Sequence, residues 1–76
     1  MNLSKKGELL ALGSALYLVG LEVEAQKDKL WEISKHPVNG KIPVTQELLD
    51  TLEAHERAKA EFSRLEKRFL ELEKEL

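Results

Sequence analysis

The residues able to do chemistry are few. There are two histidines, His36 and His55, and no cysteine. Without thiols, disulfide bridging and thiolate-ligated zinc are excluded. His55 lies in Glu53-Ala54-His55-Glu56. Di-iron carboxylate bundles instead use Glu-x-x-His on facing helices, so no metal and no cofactor is expected. No glycine loop could cradle a phosphate, and no nucleophile has a base and orienter at recognisable spacing. His36 falls in a turn. The expectation is therefore a non-enzymatic protein.

The chain that must position these groups has 76 residues. A domain of that size buries little surface, and without disulfides or metal its natural source of further burial is another subunit. Acidic residues outnumber basic ones 14 to 12 and the signs are interleaved. No basic stripe exists to track a nucleic-acid backbone, so nucleic-acid binding is not expected. With 42% hydrophobic residues the chain is expected to fold rather than remain disordered. The lack of cysteine suits a cytoplasmic protein.

Both halves carry the helical period. The first helix is expected over 4–35, with Ser4 as N-cap, ended by Pro37, which disfavours the helical conformation in its predecessor. The turn occupies 36–44 around Asn39-Gly40, two residues that tolerate positive φ. Val38, Ile42 and Val44 are expected to close the end of the hydrophobic seam. The second helix is expected over 45–76, with Thr45 as N-cap and Val44 stapled onto Leu49. Two helices of about 48 Å, at 1.5 Å per residue, joined by a short turn form an antiparallel hairpin.

Heptad spacing gives the seam. On helix 1 it comprises Leu9, Leu12, Leu16, Val19, Val23, Gln26, Leu30 and Ile33. On helix 2 it comprises Leu48, Thr51, His55, Ala58, Phe62, Leu65, Phe69, Leu72 and Leu76, with Leu52 expected to supply the apolar contact beside Thr51. A turn centred between residues 40 and 41 makes opposing numbers sum to 81, which pairs Leu9 with Leu72, Leu12 with Phe69 and Val19 with Phe62. The same register opposes Gln26 to His55. These two are expected to form a hydrogen-bonded polar layer that fixes alignment, and a sharper reading makes the layer pH-sensitive.

Off this seam, helix 2 is mostly charged, whereas helix 1 also carries large apolar residues. Leu10, Tyr17, Leu18 and Leu21 lie on its other faces, and Trp31 follows Leu30. Gly7, Ala11 and Ala15 recur at intervals of four, and Gly13 and Gly20 are seven apart, a pattern that permits close helix approach. The self-association or partner surface is accordingly assigned to Leu10, Gly13, Tyr17, Leu18, Gly20, Leu21 and Trp31. The fold class expected is all-α: an antiparallel, coiled-coil-like two-helix hairpin that dimerises into a four-helix bundle. Its expected role is that of an interaction or scaffold module.

Two alternatives concern residues 9–21, which carry no charge. At 13 residues the stretch is too short for a membrane span of about 20, although it could anchor the chain to a membrane surface. With Lys5-Lys6 before it and Val23-Glu24-Ala25 after it, the stretch also has the outline of an export signal. The seam, however, runs unbroken through that cleavage site, and retention in the cytoplasm is expected. A further alternative rests on Gln46-Glu47-Leu48-Leu49-Asp50. This stretch resembles the Ser-Gln-Glu-Leu-Asp signature of the small helical-hairpin phosphatases that act on response-regulator aspartyl phosphates in sporulating bacteria. The resemblance implies a hairpin regulator of a receiver domain, with Asp50 at the functional acidic position.

Overall fold

In a computed structural model, residues 3–76 are described, with side-chain surroundings from residue 4 onward. Two helices, α1 (Leu3–Ser34) and α2 (Gln46–Lys74), pack against each other in an antiparallel hairpin measuring 62 × 16 × 14 Å. Among the described residues there is no strand, only the bridge between Val38 and Lys41. Nor is any helix there long and apolar enough to cross a membrane.

The ends of the helices follow local chemistry. α1 stops three residues before Pro37, and the Ser34 hydroxyl donates to the Trp31 carbonyl at 2.8 Å. Its start precedes the expected one: Ser4 lies inside the first turn rather than capping it. Thr45 does cap α2, its hydroxyl accepting the Leu48 N–H at 3.1 Å. The reversal is a two-residue turn with φ of 53° at Asn39 and 76° at Gly40, and Val38 and Lys41 exchange both backbone hydrogen bonds. Positive φ at both central residues is what an Asn-Gly pair accommodates. The turn is thus centred between residues 39 and 40, one position before the expected centre. The arms joining this turn to the helices are unequal, residues 35–37 on one side and 42–45 on the other.

The core is the expected stripe. Leu72, Ala58 and Thr51 are buried. Every other seam position is half-buried except Leu76, which is exposed. Register is visible where Gly13 approaches the Phe69 ring and Gly20 the Phe62 ring, each one residue from the expected layer. Exposed ion pairs cross the flanks: Lys5–Glu75 at 3.2 Å, Glu8–Arg68 at 3.0 Å and Lys29–Glu47 at 3.5 Å. Such pairs contribute about 0.2–1 kcal/mol each, so apolar packing decides the alignment.

Three details differ from expectation. Leu52 does not supply the apolar contact expected beside Thr51: it is exposed, and Thr51 alone fills the layer, its hydroxyl donating to the Glu47 carbonyl at 2.7 Å. That bond removes the cost of burying the hydroxyl. Val38, Ile42 and Val44 do not close the seam. All three are exposed, because the tight turn holds the connector beyond the helix ends. With Val44 76% exposed and Leu49 also exposed, a buried staple is absent.

Candidate functional site

An α-helix advances about 100° per residue, so Tyr17, Leu10, Leu21, Ser14 and Leu18 share an arc of about 100° on α1. The centre of that arc lies about 160° round from the seam formed by Leu9, Leu12, Leu16, Val19 and Val23. One partner helix therefore cannot cover both. Leu10 is 74% exposed, Tyr17 68%, Leu18 64% and Leu21 51%. At the N-terminal end of this back face, a shallow depression of about 630 Å³ is walled by Leu10, Tyr17 and Leu18 and bordered by Gly13 and Phe69. Four of the seven residues assigned to the association surface thus form one continuous exposed patch. Ser14 and the edge of Phe69 also belong to it. Ser14 could have been found from its spacing of four after Leu10 and three before Tyr17.

Of the remaining three, Gly13 only borders the patch, and Gly20 and Trp31 lie outside it. Gly13 and Gly20 are half-buried beside the α2 aromatic rings, so their missing side chains leave room inside the hairpin. A Cβ added at Gly13 would stand 3.7 Å from Phe69 Cε2, and one at Gly20 would stand 3.5 Å from Phe62 Cε2. Both are ordinary van der Waals distances. Gly20→Ala is consequently expected to stabilise the hairpin by about 1 kcal/mol through helix propensity. Urea denaturation of the variant checks this, and a lower midpoint would show that the Phe62 ring cannot accept the methyl.

Trp31 is ten residues beyond Leu21, about 15 Å along the axis at 1.5 Å per residue. Glu24 and Asp28 intervene on the back face. The ring is exposed, and the Lys35 ammonium sits 5.5 Å from its centroid, within range of a cation–π contact. Trp31 is therefore separate from the patch.

Gln26 and His55 are both half-buried, as expected of seam residues, but the expected hydrogen-bonded layer is not made. The Gln26 amide nitrogen donates weakly to Glu22 at 3.5 Å, while Gln26 Oε1 and His55 Nδ1 are buried without a hydrogen-bond partner. Removing one partner from a buried polar site costs about 1–3 kcal/mol when the other is orphaned, whereas replacing both is neutral or stabilising. The double variant Gln26→Leu/His55→Leu is thus expected to melt higher than the parent. Calorimetry checks it, and a Tm well below the parent's would mean that the polar pair stabilises the hairpin.

The acidic stretch at the start of α2 is also open to solvent. Gln46 donates to Asp50 at 2.7 Å within the helix, and Lys29 pairs with Glu47 across the hairpin. With Gln26 and Thr51 these residues border a depression of about 540 Å³. Its Lys29, Gln46, Glu47 and Asp50 side chains are exposed and are joined by surface hydrogen bonds and ion pairs. Among the described residues no group of three or more histidine, aspartate or glutamate side chains could hold a metal ion. The helix surface beyond carries local pairs, Arg57–Glu53 and Arg64–Glu61 among them, and Glu61 hydrogen bonding holds the Arg64 pKa above its ordinary value.

The patch on the back of α1 is the best-defined candidate site. No protein-family model matches the chain, and neither curated proteins nor solved structures provide a match.

Proposed function

We propose that the chain is a non-enzymatic protein–protein interaction or scaffold module that self-associates through the back of α1. One observation carries this reading: Leu10, Tyr17, Leu18 and Leu21 form an exposed apolar face on a helix whose opposite face already packs on α2. Clustered apolar side chains rimmed by polar residues mark association surfaces, whereas single exposed ones do not. Burying what remains exposed of the four could contribute about 4–8 kcal/mol before association costs, at about 1.5–3 kcal/mol for a whole side chain. The isolated hairpin has little else to draw on, since Leu72 is its one large side chain buried completely among the described residues.

Association stabilises a fold by mass action, so stability must depend on chain concentration. Thermal unfolding followed over a hundredfold dilution series tests this. A Tm that falls steadily on dilution is the expected result; a constant Tm contradicts self-association.

A further inference from the structure

We infer that the second copy docks antiparallel, α1 against α1, about a two-fold axis crossing between Ala15 and Leu16. This rests on the self-association reading and adds the orientation, the register and the order of the helices.

The back face has its own 3-4 spacing: Gly7, Leu10, Ser14, Tyr17, Leu21, Glu24 and Asp28. A two-fold dimer must be complementary to itself, and an antiparallel seam opposes residues whose numbers sum to a constant. A sum of 31 returns this seam onto itself. Leu10 then meets Leu21 of the second copy, Ser14 meets Tyr17, and Gly7 meets Glu24. The pairing is complementary in size, because the small Ser14 and Gly7 stand opposite the larger side chains.

Charge points the same way. Between residues 4 and 28 the charged side chains within this arc are Lys6 near one end and Glu24 and Asp28 near the other. Antiparallel docking sets Lys6 beside Glu24 of the second copy. Parallel docking would stack Glu24 on Glu24 and Asp28 on Asp28, and like charges across an interface oppose association. Because the back face lies nearly opposite the seam, the four helices run in a row, α2–α1–α1–α2, with the two α1 helices central. They do not form a square bundle.

The chain has no cysteine, so introduced thiols report this geometry directly. Leu10→Cys and Leu21→Cys proteins are mixed, allowed to exchange and oxidised, and each is also oxidised alone. Only the mixture is expected to give a disulfide-linked species of twice the chain mass. In the antiparallel dimer, two Leu10 positions stand about 16 Å apart along the axis, eleven residues at 1.5 Å, too far for a disulfide. Gly7→Cys mixed with Glu24→Cys repeats the test without removing a large apolar side chain. Rapid cross-linking of Leu10→Cys alone would show a parallel dimer. A dimeric protein in which neither mixture cross-links would show another face or register. Either result overturns this inference and leaves self-association standing, whereas a monomeric parent chain overturns both.

Discussion

Leu21→Glu is expected to dissociate the proposed dimer and leave the hairpin folded. Leu21 is half-exposed on the face turned away from α2, so the substitution removes no contact from the Leu9–Leu72 seam. In the dimer, each glutamate would be enclosed by apolar side chains without a partner. The cost of enclosing an unpaired carboxylate runs to several kcal/mol, and symmetry imposes it twice. Every 1.4 kcal/mol is about a factor of ten, so association weakens by at least about a hundredfold. Circular dichroism and light scattering on the same sample separate the two effects. Helical signal retained at half the parent's mass is the expected result. Unchanged mass would place the interface elsewhere.

Leu72→Ala acts on the other face of the account. Its side chain is fully buried, at 0% exposure, where the C-terminal half of α2 closes over the start of α1. Truncating a buried leucine costs about 2–5 kcal/mol, from lost transfer free energy and the cavity left behind. That is a large fraction of the 5–15 kcal/mol typical of folded domains, and here only Ala58 and Thr51 are similarly buried among the described residues. The variant is expected to unfold at much lower urea, with fraying concentrated at the open end of the hairpin. Leu70→Ala, at an exposed neighbour, is the control and should cost far less. Equal losses for the two would mean that the seam does not run through Leu72.

How much of this could be read in the chain depended on how local the signal was. The seam was legible because α2, mostly charged off its 3-4 positions, admits only one buried stripe, and the antiparallel register then picks out its partner stripe on α1. Thr45 and Asn39-Gly40 were legible because capping and positive φ are decided within a few residues. The spacing of Gly13 and Gly20 suggests a close-approach motif between copies, since spacing does not say which helix comes close. The Phe62 and Phe69 rings lie on their side of α1. Thr51 takes its seam position as expected, but the apolar contact expected from Leu52 beside it is not made, because a backbone carbonyl four residues back satisfies the threonine and lets it fill the layer. Gln26 and His55 were placed on the seam correctly, but hydrogen bonding depends on side-chain geometry that no register specifies. The exposed back of α1 was visible in sequence as an excess of leucine, and the fold sharpened it to Leu10, Ser14, Tyr17, Leu18 and Leu21.

Sedimentation equilibrium of the unaltered chain from low to high micromolar concentration tests the central claim most directly. A mass rising from 8.7 kDa towards twice that value is the predicted result. A folded monomer at 8.7 kDa throughout would contradict it, because the apolar back of α1 would then stand in water uncovered.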